Sequence, residues 1–459
     1  MPQPGPGYCG PVADHAGEIS GTATAGRRPS PQAAYAQWIA ACTSAGWRGD
    51  PTAEQVPVRD GLGRVTAAPI RARWPAPRSA CAAMDGIAIR AGSAPGPPDA
   101  AGQWQLPRTA FTWVDTGDLL PPEMDTVVER ERVHFSADGN AWITGPAPAG
   151  LHVRARGEDF QASQLLLQAG HRLRPPDLSA VAAAGHATLK VARRPVAAII
   201  PTGDEIQPVG SALSPGEVTD SNSLMLAARA TETGAHPLVS AVLPDDPDMI
   251  LAEVQRLAQS AGLVLVIAGS SAGRHDHTAA VLTEAGGLAV RGVAVRPGHP
   301  VLLGYAQPDR ARAGQSATAV PVIGIPGYPL AAAAIFDLFA IPVLAALQGR
   351  QPADRVRQRA QRACDWTSSP DVEDWVPVSL APGPVRPARR RVDQPAHART
   401  GLVADSHRAG QVRAGRAHRR PAGIWRTSVT STDRWSARMH RAVRRHRDYA
   451  ERPGIKPAW

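Results

Sequence analysis

From residue 195 onward the chain alternates short, wholly apolar runs with helical patterns, and most runs end in a polar loop rich in Pro or Gly. Few folds accept that order. Residues 196–200 form a continuous apolar run, the mark of a strand covered on both faces. Asp220 or Ser221 is placed to cap a helix running from Asn222 to about Thr233, with Gly234 positioned to stop it. Asp245-Asp246-Pro247 opens a further helix through Ala258. Residues 263–268 supply a second buried strand, a helix follows near 278–285, and 290–295, 301–305 and 322–325 add strands. Pro329 occupies a first-turn position ahead of an apolar helix reaching Leu347. This alternation predicts an α/β domain over 192–350, a mostly parallel sheet with flanking helices.

The rest of the chain has a different texture, so the predicted fold class is α/β plus β. Residues 1–30, rich in Pro, Gly and Ala without periodicity, are expected to be a disordered leader. Tyr35, Trp38, Ile39 and Cys42 then follow helical spacing. Short β-like runs broken by Pro and Gly predict a β-rich module over 81–149. Residues 31–80 and 150–191 are assigned to a connecting N-terminal domain, and 351–385 to the start of a C-terminal β domain.

Composition narrows the function classes. The chain has 459 residues, enough for two or more domains, and its 43% hydrophobic and 20% charged content sets aside a disordered chain. The longest apolar run, 329–347, is interrupted by Asp337 and Pro342, and no secretory signal is visible, so no membrane association is expected and cytoplasm is the expected location. Cys9, Cys42, Cys81 and Cys364 are scattered, which argues against a disulfide framework and a zinc site. A net charge of +10 suggests nucleic acid until it is located: residues 386–459 hold nineteen Arg or Lys against five Asp or Glu, a balance of +14 that leaves −4 for residues 1–385. Forty-eight of the fifty basic residues are Arg, with Lys190 and Lys456 the exceptions, a bias that fits GC-rich coding. No aromatic platform or known motif accompanies the basic tail, so nucleic acid is not an expected partner.

In open α/β sheets, ligands bind beyond the carboxyl ends of the strands. The loops predicted there are Pro201-Thr202-Gly203-Asp204-Glu205, Gly269-Ser270-Ser271-Ala272-Gly273-Arg274-His275-Asp276, Arg296-Pro297-Gly298-His299-Pro300 and Pro326-Gly327-Tyr328-Pro329. Glycines let the backbone approach a phosphate and present N–H groups to it, while clustered carboxylates suit magnesium or proton transfer. Taken singly, the first loop is equally an ordinary strand-to-helix turn, and the other three read more readily as ordinary turns. Their joint order, each after a strand, points to one site.

These residues resemble the pterin-binding domain of the molybdopterin molybdenumtransferase family, which includes the E-domain of gephyrin. The family's Thr-Gly-Asp-Glu-Leu, Asp-Ser/Thr-Asn, Asp-Asp, Gly-Gly-Val-Ser-x-Gly-x-x-Asp, Lys-Pro-Gly-Lys-Pro and Pro-Gly-Asn-Pro motifs have counterparts at 202–206, 220–222, 245–246, 269–276, 296–300 and 326–329. Further upstream, Gly63-Arg64-Val65, Ala83-Met84-Asp85-Gly86-Ile87-Ala88, Asp115-Thr116-Gly117 with Pro121, and Arg156-Gly157-Glu158-Asp159 also resemble family motifs. The resemblance covers residues 35 to 350. It departs at Arg296 and His299, which replace two lysines, at Ser270 for glycine, and at Tyr328 for asparagine. Arg296 keeps a permanent charge, whereas His299 titrates near neutrality.

The resemblance implies a transferase that takes adenylyl-molybdopterin and molybdate, with Mg²⁺, and releases molybdenum cofactor and AMP. It implies that Asp85, Glu205, Asp246 and Asp276 are catalytic, the last three also holding metal. It further implies that Thr116, Asp159, Thr202, Gly203, Ser270, Ser271, Gly273, Arg296, His299, Pro326 and Pro329 bind the pterin ligand. A homodimer is implied, with the β-rich module of one chain meeting the α/β domain of another, and molybdopterin adenylyltransferase and molybdoenzymes are implied partners. Two rival readings are a molybdopterin adenylyltransferase, disfavoured by residues 50–190, and a non-catalytic protein binding pterin or molybdate. Residues 386–459 lack the alternating pattern of the family's last domain and are expected to be irregular. A shifted reading frame in a GC-rich gene produces such a run, as does a genuine basic arm; translating the other frames separates the two.

Overall fold

The computed structural model describes residues 28–94, 96–268, 277–307, 318–351, 371–378 and 410–413. The described residues fall into two compact units, 52–193 and those on either side of it.

The larger unit begins with helix α1, Pro31–Ser44, started by Pro31 in the first turn and by the Ser30 hydroxyl accepting the Ala33 N–H. Ala34, Trp38 and Cys42 recur every four residues along one stripe and are buried. Trp38 donates its indole N–H to the Gly304 carbonyl at 2.6 Å and meets Phe339 edge-on. Residues 28–51 therefore belong with the α/β sheet, whereas the sequence pattern grouped 31–80 together.

Strands of this unit are β1 Val196–Pro201, β2 His236–Val239, β3 Leu263–Ala268, β4 Gly286–Arg291, β5 Leu302–Ala306 and β6 Val320–Pro326. They form one six-stranded sheet in the order β2-β1-β3-β6-β5-β4. The first four are mutually parallel, β5 runs antiparallel to β6, and β4 antiparallel to β5. The sheet is thus mixed where the sequence predicted a mostly parallel one. The reason lies in the connections: β1 to β3 are joined through helices, whereas residues 292–301 between β4 and β5 contain no helix and so suit an antiparallel return. Two of the predicted strand boundaries also shift, since residues 290–295 prove to be the end of β4 and a separate two-residue strand, Val295–Arg296.

Side chains alternate across the sheet with a period of two. Ala197, Ile199, Leu265, Ile267, Ile323 and Ile325 share a core with α1 and with helix α2, Asn222–Glu232. Ala198, Ile200, Val264, Val266 and Val322 pack on the other face against α3, Pro247–Ala258, and α4, Thr278–Ala285. Burial on both faces explains why these runs carry no polar residue.

Helix α5, Pro329–Ile335, continues through a π-helical turn, Phe336–Ala340, into α6, Ile341–Ala346. The helix expected to reach Leu347 is present, and Asp337 and Pro342, which break its apolar run, are accommodated within it. Proline lacks the N–H and crowds the preceding turn, and the wider π turn directly before it relieves that clash. Asp337 pairs with Arg229 of α2, so its charge is neutralised. This is the one described helix long and apolar enough to cross a membrane, yet 61% of that window is buried inside the protein, as in a core helix.

Strand β7, Glu373–Val378, pairs in parallel with Val295–Arg296 and antiparallel with Gly410–Arg413. That last strand lies in the tail expected to be irregular; backbone pairing needs no apolar side chains. The leader 1–27 and the remaining tail residues lie outside the described residues.

In the unit 52–193, Gly86–Ile89 is the central strand between Phe111–Val114 and Thr126–Glu129. A second sheet holds Gln103–Leu106, Ala141–Thr144 and Val133–Phe135. Ile87, Ile89, Leu106, Val128, Ala141 and Ile143 fill the core they share. A further core of Ile70, Leu173, Val181, Leu189 and Val191 lies near the paired strands Ala53–Pro57 and Thr188–Ala192 and helix Pro175–Ala183.

Candidate active site

In the α/β unit the carboxyl ends of β1, β3, β4 and β6 lie at one edge, because Pro201 aligns with Ile267, Ala268 with Pro326, and Arg291 with Leu302 beside Gly324. The loops 202–206, 292–301 and 326–329 leave from that edge. Residues Ser270, Ser271, Gly273 and Asp276 belong to the loop after β3 and lie outside the described residues.

The loop after β1 is held from within. Thr202 is buried and donates both its N–H and its hydroxyl to the Ile267 carbonyl, at 3.0 and 3.1 Å. That bond gives the Thr202 hydroxyl a structural anchor, where the resemblance implied a ligand contact. Gly203 adopts φ +135°, and a Cβ there would stand 2.8 Å from Ile206 Cγ1 and 2.9 Å from Glu205 Oε2, so glycine is required. Glu205 is exposed at the tip of this turn.

The next loop is tied to the first. The Gly203 N–H donates to Leu243 O at 3.1 Å, and the Asp245 N–H to Asp204 Oδ1 at 3.2 Å. Asp246 is the N-cap of α3, its Oδ1 accepting the Asp248 and Met249 N–H groups at 2.9 and 3.1 Å. A residue implied to be catalytic and metal-holding thus has a capping role. Asp246→Ala is expected to lower stability by about 1 kcal/mol, with Asp246→Asn near neutral because an amide oxygen also caps; urea unfolding measures the difference, and equal losses in the two variants would refute the cap.

Pro326 ends β6 and is buried, and Pro329 starts α5. Between them the Gly327 carbonyl accepts from Asn222 Nδ2 at 2.6 Å, joining this loop to the start of α2. Asp220 Oδ1 accepts the Ser223 N–H at 3.0 Å, so of the two predicted caps it is Asp220 whose side chain acts. Arg296 donates from Nε to Asp374 Oδ1 at 3.1 Å. His299 is exposed, and its carbonyl accepts the Val293 N–H. Among the described residues no three His, Cys, Asp or Glu side chains are grouped to hold a metal.

In the unit 52–193, Asp85 follows a short strand and precedes Gly86–Ile89. Its Oδ1 accepts both the hydroxyl and the N–H of Thr116, each at 2.7 Å. The Thr116 hydroxyl and then its N–H hold the Asp85 carboxyl below the ordinary carboxylate range. Two residues expected separately, from two different motifs, are therefore in contact. Asp159 instead accepts from Arg154 at 2.7 Å, within the turn following Arg156-Gly157.

Asp204, Asn222 and Asp374 were not foreseen as site-building residues. Asp204 and Asn222 stood inside quoted motifs, so a signal existed; Asp374 had none, since its partner is 78 residues away.

Comparison with known proteins agrees with this layout. Residues 30–185 match the MoeA N-terminal region (domain I and II), and residues 198–346 match a probable molybdopterin binding domain. The molybdopterin molybdenumtransferase of a Nostoc species is 30% identical over 304 residues, covering 62% of this chain and 67% of that protein. Molybdopterin molybdenumtransferase 2 of Mycobacterium tuberculosis is 29% identical over 338 residues, covering 68% and 80%. The molybdopterin biosynthesis MoeA protein of Pyrococcus horikosii superposes with a TM-score of 0.59 at 26% identity, over 77% of this chain and 88% of that one. With two family models matched in order and a 30% identical relative aligned over two thirds of its length, the chain belongs to the molybdopterin molybdenumtransferase family.

Proposed function

We propose that the chain inserts molybdenum into adenylyl-molybdopterin, giving molybdenum cofactor and AMP, as the names of its relatives suggest. The observation that carries this reading is the carboxyl edge of the sheet, where Glu205 stands exposed on a loop hydrogen-bonded to the acidic loop at Asp245. Exposed carboxylates on two joined loops are the hard donors that Mg²⁺ accepts, with water completing its shell. In this reading Glu205, Asp246 and Asp276 hold Mg²⁺, whose charge would offset that of the adenylate phosphate. Gly203, Ser270, Ser271 and Gly273 border the phosphate, Arg296 and His299 meet anionic oxygen, and Pro326 and Pro329 shape the floor. Asp85, kept ionised by Thr116, and Asp159 serve the same reaction. The decisive assay is AMP release from adenylyl-molybdopterin, molybdate and Mg²⁺ by the purified chain; its absence, with folding verified, refutes the proposal and favours a protein that only binds pterin or molybdate.

The proposal includes a cytoplasmic homodimer acting with molybdopterin adenylyltransferase and delivering to molybdoenzymes. Mixing inactive Asp85→Asn and Glu205→Gln chains is expected to restore part of the AMP release. A mixture that stays inactive despite demonstrated subunit exchange would exclude a shared site. Thr116→Val removes one of the two bonds lowering the Asp85 carboxyl, so that pKa is expected to rise. The acidic limb of the pH–rate profile should then move to higher pH; an unmoved limb would show that Asp85 is not the group titrating there.

A further inference from the structure

Asp85 lies between the short strand Cys81–Ala82 and the strand Gly86–Ile89, and the stretch joining them is tied on both sides. The Ala82 N–H donates to Asp118 O and the Gly117 N–H to Ala82 O, each at 2.9 Å, which joins this stretch to the loop carrying Thr116. From the other side the Ala83 N–H donates to His152 O at 2.8 Å. Gly86 pairs with Glu129, and the Arg130 N–H donates to Asp85 O at 2.9 Å. His152 and Glu129 thus bracket Asp85, and they also meet each other: His152 Nε2 stands 3.0 Å from Glu129 Oε2. That oxygen is buried without an aligned hydrogen bond, so the imidazole, with Arg132 Nη1 at 3.7 Å, offsets its burial. His152 makes both contacts from a left-handed backbone, φ +49°. A residue with a Cβ adopts that conformation at a cost, so the surrounding contacts must hold it there.

We infer that His152 is a positioning residue for Asp85. Its carbonyl anchors Ala83, two residues before Asp85, and its ring anchors Glu129, the partner of Gly86, one residue after it. Held at both ends, the stretch keeps the Asp85 carboxylate against the Thr116 hydroxyl and N–H. This rests on the proposed reading of Asp85 as a participant in the reaction. A reacting group fixed before the substrate arrives removes an ordering cost that the reaction would otherwise bear. The two bonds from Thr116 lower the Asp85 pKa, and they persist only while the two segments keep their separation. His152 therefore acts through the backbone of the Asp85 segment.

The test compares His152→Gly with Ser163→Gly in the full chain. Glycine keeps the left-handed backbone and the carbonyl facing Ala83 but removes the imidazole. Ser163, at φ +63°, shares that backbone, and its bonds run to Arg71 and Ala72. The readouts are the Asp85 carboxyl pKa, followed by carbon-13 NMR with Asp85→Asn assigning the signal, and kcat and KM for AMP release. His152→Gly is expected to raise that pKa toward the ordinary carboxylate range and to lower kcat about ten- to a hundredfold, with KM nearly unchanged. Glu129→Ala should do the same, and Glu129→Gln, which keeps an acceptor oxygen, should retain most of the wild-type values. Lost positioning moves the pKa upward in both single variants, whereas loss of a direct field would move it in opposite directions. The double variant should be no worse than the worse single one, because both remove the same contact. Ser163→Gly should move neither readout. A lowered Tm with kcat and the Asp85 pKa unchanged marks a purely structural contact and overturns the inference. So do opposite pKa shifts in the two single variants, a change in one readout without the other, or a double variant whose loss is the product of the two. If His152→Gly loses its native circular dichroism spectrum, Glu129→Ala and Glu129→Gln decide: values equal to wild type in both overturn the inference. Wild-type protein that releases no AMP refutes the transferase reading separately, and the Asp85 pKa then tests His152 alone.

Discussion

Glu205→Gln and Asp276→Asn are each expected to reduce AMP release by about a hundred- to ten-thousand-fold, the range for removing a catalytic acid–base group. Stability should be nearly untouched for Glu205, whose side chain is exposed on the turn after β1. What the substitution removes is a charge, with the size and the turn geometry retained. Gly203 holds that geometry, since its conformation and the approach of Ile206 do not depend on the carboxylate. Asp276 is the single acidic residue of the sequence 269–276 after β3, and its variant tests the part of the site that rests on the family motif alone. Single-turnover AMP release, with circular dichroism as the folding control, measures both. Near-normal turnover in the two variants would remove the carboxylates from the chemistry.

Gly86→Ala is expected to destabilise the unit 52–193 by about 3 kcal/mol or more, at or above the upper end for overpacking. A Cβ at Gly86 would stand 2.0 Å from Val128 O, 2.9 Å from Val128 C and 3.0 Å from Arg130 N. All three are backbone atoms and cannot swing aside as a flexible side chain does. Gly86 pairs with Glu129 on one side and Val114 on the other, so a shift disturbs both ladders of the central strand. Asp85, one residue earlier, also accepts the Arg130 N–H through its carbonyl at 2.9 Å, so its position moves with the strand. The expected result is a lower urea midpoint together with loss of AMP release. Gly117→Ala is the control: its Cβ meets nothing within 4 Å, and its φ of +96° limits the expected loss to about 1 kcal/mol. Equal stability of Gly86→Ala and wild type would contradict the close approach.

Local chemistry made much of this protein legible. The apolar runs at β1, β3 and β6 announced strands buried on both faces, and the cores on the two sides of the sheet bear that out. Pro247 after Asp246 and Pro329 after Tyr328 announced helix starts, because a first-turn proline loses no intrahelical bond. Motif order at the strand ends identified the family, and the order itself carried the information that no single loop did. The Asp85 and Thr116 pairing was anticipated only as membership of one pocket, and the two bonds between them make it a direct contact.

Strand direction, by contrast, is not written in a run of apolar residues: β5 reads like its neighbours yet runs against them, because pairing sense is decided by how the chain returns. Likewise, the same aspartate in a sequence can cap, ligate or pair, and only its neighbours in space select among these. Asp246 caps α3, Thr202 anchors to β3, and Arg296 is held by a carboxylate from β7. The helix 329–346 was legible from its apolar pattern, but the partner of Asp337, Arg229, and the π turn ahead of Pro342 were not. Sequence by itself determined what can be buried, where backbone can turn and which family motifs are present, all of which depend on near neighbours along the chain. Tertiary structure decided strand direction and the partner of each polar side chain, because those depend on groups that become neighbours only when distant segments fold together.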